Sequence, residues 1–121
     1  MKLIDTDVLI EVIRNNRVYE IRENCISIIT LLEFLRGIEK ESERKLLKEN
    51  LEKITKIIEI NNKVILTYCK LYRELKKKGK ILPDADLLQA SIAISNNFSL
   101  ATKKLKHFKR LEKFGLKLSK L

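Results

Sequence analysis

Short apolar runs rich in β-branched residues alternate along this chain with longer segments of helical spacing. "KLIDT" (2–6) reads as a strand ending at an acid, and "TDVLIEVIRN" (6–15) then places Val8, Leu9, Val12 and Ile13 on one helical face. "CISII" (25–29) is a β-branched run with the character of a buried strand. Thr30 follows with Glu33 three residues later, a T-x-x-E pattern that predicts a capped helix ending near Gly37. "ESERKLLKENLEKI" (41–54) is an amphipathic helix and "KIIEI" (56–60) a third strand. Asn61 or Asn62 caps "KVILTYCKLYRELKKK", a helix stopping at Gly79. Another starts near Pro83, at a favoured first helical position, and runs to the breakers Asn96 and Asn97. "SLAT" (99–102) is a fourth strand and "GLKLS" (115–119) a weak fifth. Strands alternating with helices predict an α/β domain, with a mainly parallel sheet between two helical layers.

The 121 residues suffice for one continuous core and are too few for two, so residues 1–121 are expected to form a single domain. A hydrophobic content of 45% with 35% charged residues excludes disorder. No apolar run approaches the ~20 residues of a membrane span. The N-terminus meets Asp5 before any signal-peptide core can form, which makes a cytoplasmic location the expectation. Cys25 and Cys69 lie far apart in apolar runs without zinc-ligand spacing, and are expected to be buried thiols. The formal net charge of +10 suggests an anionic partner, nucleic acid first. A Lys/Glu/Ile-rich composition also suits high temperature, so charge alone does not decide the matter.

Against this basic background, several acids sit beside apolar segments. In a parallel α/β sheet the reactive edge lies beyond the carboxyl ends of the strands. Asp5 follows the first strand directly, and Glu33 lies about one helical turn past the second. The helix after Pro83 should run antiparallel to the fourth strand, bringing Asp84 and Asp86 to the same edge. Gathered carboxylates repel one another, and a divalent cation removes that penalty. Hard oxygen ligands on an open platform favour Mg²⁺ or Mn²⁺, which can acidify an attacking water. Each acid also has a structural explanation. Asp5 can cap a helix, Glu33 can complete the Thr30 capping box, and Asp84 and Asp86 can complement a helix dipole. Two residues apart on a helix, Asp84 and Asp86 cannot both aim at one ion. "LLQASIAI" behind them reads as core packing without chemistry.

These segments resemble the PIN-domain ribonucleases, most closely the VapC-type toxins of prokaryotic toxin–antitoxin pairs. "LIDTDVLIE" is similar to that family's "LLDTNVLI", and "ISIITLLEFLRGIEK" to its "S..T..EL..G". "GKILPDADLLQASIAI" is similar to "G..i...DlLIAA.A", and "LATKKLKHFKRLEKFGLKL" to "LVT.N...F....GL.v". The resemblance covers nearly the whole chain. It implies a PIN-like domain with strand order 3-2-1-4-5, and Asp5, Glu33 and Asp86 as catalytic, metal-binding acids. It further implies Mg²⁺- or Mn²⁺-dependent hydrolysis of RNA, a homodimer, and a VapB-type antitoxin that plugs the site. The fourth motif departs from the pattern. Where the family commonly has Asn or Asp, and an acid before the Phe, this chain has Lys104 and His107. Lys104 is then a candidate phosphate ligand and His107 a candidate accessory group, together with Asp84, Thr6 and Thr102. Asp7 replaces the more usual Asn and adds negative charge nearby.

A metal-dependent endoribonuclease is the leading expectation. The alternative is a weak or inactive module that binds RNA or an antitoxin without cutting, because the fourth acidic motif is lost. A third option is a nuclease directed at DNA or flaps.

Overall fold

The computed structural model describes residues 1–121. Five short strands form one sheet: β1 (Lys2–Ile4), β2 (Cys25–Ser27), β3 (Lys56–Ile58), β4 (Ser99–Ala101) and β5 (Lys117–Ser119). Their order is β3-β2-β1-β4-β5 and every neighbouring pair is parallel, the arrangement that the PIN resemblance implies.

Parallel strands need crossovers, and helices supply them. These are α1 (Thr6–Arg14), α2 (Ile28–Leu35), α3 (Glu41–Ile54), α4 (Asn62–Lys77), α5 (Asp84–Ser95) and the single turn α6 (Leu105–Phe108). The strand period of two sends successive residues to opposite faces. Leu3, Cys25, Ile58 and Leu100 join one core with Val64, Leu71 and Leu75 of α4, Leu87 and Ile92 of α5, and Phe108. Their strand neighbours Ile4, Ile26 and Ala101 join a second core with Val8, Leu9 and Val12 of α1, Leu31 and Phe34 of α2, and Leu51 of α3. The sheet therefore separates two apolar layers, as the alternation predicts. No helix is long and apolar enough to cross a membrane.

Several local expectations change. β2 ends at Ser27, and Ile28 and Ile29 belong to α2. The cap is Ser27, whose Oγ accepts from the Thr30 backbone N–H at 3.0 Å. The Thr30–Glu33 capping box therefore does not form; Thr30 lies inside the first turn, completely buried. The β-branched run hid this boundary because β-propensity follows packing context rather than backbone preference. Asn61 caps α4 by accepting from Val64 N–H at 3.0 Å. Pro83 is the residue before α5 rather than its first helical position. The segment after β4, unassigned from sequence, forms α6 and a 3-10 turn (Lys109–Phe114). That turn ends at Gly115, whose φ of +100° suits glycine. Cys25 is buried as expected, and burial pushes its thiol up to about 11. Cys69 is exposed on α4, contrary to its apolar setting, because that helix turns only one face to the core.

Candidate active site

Three neighbouring strands end in polar residues at one edge: β1 runs into Asp5, β2 ends in Ser27, and β4 runs into Thr102. Asp5 caps α1 and is only 4% exposed. Its backbone N–H donates to Ala101 O at 2.9 Å, which ties it to the end of β4. Its Oδ1 accepts from Thr6 N–H at 2.9 Å and from Gln89 Nε2 at 3.1 Å. Its Oδ2 accepts from the Thr102 hydroxyl at 2.6 Å. All these donors are neutral, so the carboxylate is held in place without its charge being cancelled.

Thr6 links Asp5 to the second acid. Its hydroxyl donates to Glu33 Oε1 at 2.6 Å. The Thr30 and Thr6 hydroxyls lie 3.1 Å apart. Each hydroxyl has one proton, and that of Thr6 is committed to Glu33, so Thr30 donates to Thr6. Gln89 Nε2 in turn donates to Thr30 at 2.7 Å, and Ser27 donates to Gln89 Oε1. Gln89 is 2% exposed and joins α5 to the ends of β1 and β2. This corrects the reading of "LLQASIAI" as packing alone. The available signal was an amide within an apolar run, three residues (one helical turn) after Asp86.

Asp86 and Asp84 part company as their spacing requires. Asp84 is exposed and accepts from the Tyr68 hydroxyl at 2.6 Å, away from the other acids. Asp86, with a side chain 15% exposed, meets the segment after β4. Its Oδ1 lies 3.2 Å from Lys104 Nζ and its Oδ2 2.9 Å from His107 Nε2. The two departures from the family pattern thus share one carboxylate. Lys104 also donates its backbone N–H to Thr102 Oγ1 at 3.1 Å. Partial burial draws the Lys104 pKa down. Its bond to Asp86 and the charges of Asp86, Asp5 and Asp7 more than offset this, so the net direction is upward.

Asp7 completes the acidic edge. Its Oδ2 accepts from Lys103 N–H at 3.2 Å, while its Oδ1 is buried without a hydrogen-bond partner. Burial, with the Asp5 charge next, raises its pKa. No basic side chain forms an ion pair with Asp5, Asp7 or Glu33. In this arrangement no three His, Cys, Asp or Glu side chains stand close enough to hold one ion between them. Asp5 and Glu33 are joined through Thr6, and Asp86 is turned toward Lys104 and His107. Beside this edge lies a cavity of about 350 Å³ walled by Val8, Val12, Leu105 and Leu121, with Lys103 and Glu11 on its lining.

A family model for the PIN domain matches residues 2–113. Ribonuclease VapC1 of Methanocaldococcus jannaschii is 42% identical over 116 residues, which cover 96% of this chain and 85% of that protein. Ribonuclease VapC2 of Rickettsia felis is 36% identical over 90 residues, covering 72% of this chain and 67% of that protein. Among solved structures, VapBC-1 from nontypeable Haemophilus influenzae superposes with a TM-score of 0.84 at 25% identity, covering 98% of this chain and 96% of that one. VapBC2 from Rickettsia felis, bound to a promoter DNA fragment, gives a TM-score of 0.81 at 29% identity over 99% of this chain and 98% of that one. Fold, strand order and sequence agree along nearly the entire length, and the chain belongs to the PIN-domain family, among the VapC ribonucleases.

Proposed function

We propose that this chain is the ribonuclease toxin of a VapBC-type pair, hydrolysing RNA with Mg²⁺ or Mn²⁺ held by Asp5, Glu33 and Asp86. The observation that carries the reading is the link between Asp5 and Glu33 through Thr6 at the carboxyl edge of the sheet, with Asp86 in the first turn of α5 beside the segment that follows β4. The donor set fits a hard divalent cation. It is all oxygen, Asp5 and Glu33 lack basic partners, one buried oxygen of the neighbouring Asp7 has no donor, and Asp86, though bonded to Lys104 and His107, keeps further acceptor sites. A bound ion would acidify the attacking water and offset the charge that develops at phosphorus. Asp5, fixed by hydrogen bonds, supplies the rigid side of the site. Glu33 and Asp86 lie on partly exposed helix faces and have room to turn toward it. The water oxygen bonds to phosphorus as the P–O bond to the leaving ribose oxygen breaks. The water's proton passes to solvent and the leaving oxygen takes one up. Lys103, Lys106 and Lys109 follow β4 on the exposed surface and offer salt-sensitive phosphate affinity.

The partners are proposed from family membership, the similar solved structures being VapBC complexes. An antitoxin of VapB type would place an Arg or Lys among the acids, and a homodimer is the expected assembly of the free toxin. Light scattering of the free protein, and of its mixture with the product of the neighbouring gene, checks both.

One observation favours the binding-only alternative. Asp86 is already matched by Lys104 and His107, so the site can hold RNA without activating water. Cleavage of a mixed RNA pool by the purified protein in Mg²⁺, Mn²⁺ or EDTA separates the two. Cuts that need metal are expected, with DNA left intact. Retention of RNA on the protein with no cuts in either metal would establish the binding-only reading instead.

A further inference from the structure

We propose that the Lys104 ammonium takes the place of a second metal ion, so that this nuclease site works with one divalent cation. The inference rests on the nuclease reading and concerns how its positive charge is supplied. The acids divide into two groups. Asp5, Asp7 and Glu33 lie on the β1 and β2 side and form no ion pair with any basic side chain. Asp86 lies on the α5 side and is bonded to Lys104 at 3.2 Å and to His107 at 2.9 Å. One group therefore lacks a cation, and the other has one built into the chain.

Lys104 is placed for this role by its backbone as well as its side chain. Its N–H is fixed to Thr102 Oγ1, and the same hydroxyl is fixed to Asp5 Oδ2. The ammonium is thus tethered from a residue that itself holds the Asp5 carboxylate. It reaches back to Asp86, and it lies within the fields of Asp5 and Asp7. A carboxylate has two oxygens and about four acceptor sites. Asp86 can therefore keep Lys104 while offering its remaining sites to an ion or an ordered water.

In two-metal sites the second ion stabilises the leaving oxygen. A lysine is a compact point charge with three donors, and it can meet a phosphate or a leaving oxygen in the same way. With Lys104 in place, a single divalent ion already brings the four carboxylates to within one charge of neutral, so charge balance does not require a second ion.

Mn²⁺ binding to the full-length protein, free of partner, tests the proposal. Free Mn²⁺ is followed by electron paramagnetic resonance, and heat by calorimetry. Lys104→Met and Lys104→Asp are compared with the unaltered chain, after circular dichroism confirms that each is folded. One Mn²⁺ per chain is expected for the unaltered protein. Lys104→Asp should bind a second ion at least tenfold more tightly than the unaltered protein does. Lys104→Met should lose at least tenfold in RNA cleavage at low Mn²⁺ and recover part of it at high Mn²⁺, with a steeper dependence on the ion. Two ions in the unaltered protein, with the same stoichiometry and affinity in both variants, would overturn the role of Lys104 and leave the nuclease reading intact. No Mn²⁺ binding by any of the three would overturn both.

Discussion

Asp86→Asn is expected to lower metal-dependent RNA cleavage by about a thousandfold, roughly 4 kcal/mol in the barrier, while Asp84→Asn stays within about threefold. The two residues share a helix turn, exposure to the same dipole and the same side-chain chemistry. Only their direction differs. Asp84 faces Tyr68 at 2.6 Å in an exposed pair, whereas Asp86 faces the segment after β4. Asn preserves the volume of Asp and can still receive a hydrogen bond from Lys104, so the fold should survive. The loss in stability should be about 1 kcal/mol or less, the scale of a helix-dipole charge and a partly exposed ion pair. Turnover and melting temperature, measured on both variants, check the contrast. Equal losses of cleavage in the two variants would mean that the first turn of α5 matters as a whole, and Asp86 would lose its assigned role.

The second large effect is structural and sits behind the acids. Gln89→Leu should destabilise the protein by about 2–4 kcal/mol, because it strands buried polar partners. Ser27 loses its acceptor, and Thr30 and Asp5 each lose a donor. Ser27, Thr30 and Asp5 are themselves buried, so water cannot replace the amide without opening the structure. For a domain of this size the melting temperature should fall by roughly 10 °C. Cleavage should fall too, since Asp5 loses one of the bonds that orient it and Thr30 loses the donor that organises the chain to Glu33. An unchanged melting temperature would show that the amide is not the keystone of this network.

Asp5 and Gln89 mark the limits of what the sequence discloses. Asp5 was legible because it directly follows a clear apolar strand, and topology then places it at the reactive edge. Leu3 and Ile4, or Cys25 and Ile26, read simply as apolar residues. Their division between two cores follows from the strand period and was implicit in the three-layer prediction. The strand order came through resemblance, because alternation alone constrains adjacency but not sequence order across a sheet. The β2–α2 boundary is hidden in sequence because Ile28 and Ile29 fit a strand by composition, whereas in the structure they open α2 and Ser27 is its cap. Glu33 kept its place at the edge but exchanged a local capping role for a contact with Thr6, 27 residues away. An amide within an apolar run marks Gln89 as unusual, but its partner Asp5 lies 84 residues away, and no local pattern identifies that partner. In sequence, His107 and Lys104 stand out only as departures from a motif. Their convergence on a single carboxylate became visible only once the turn α6 was in place.

Crystals of the unaltered protein soaked in Mn²⁺ and measured at the manganese absorption edge would show whether these acids hold an ion. The expected result is an anomalous peak at the carboxyl edge of the sheet, bonded to Asp5 and to Glu33 or Asp86 at distances of about 2.0–2.3 Å. Manganese bound elsewhere on the chain, with Asp5 keeping only its bonds to Thr6, Gln89 and Thr102, would contradict it.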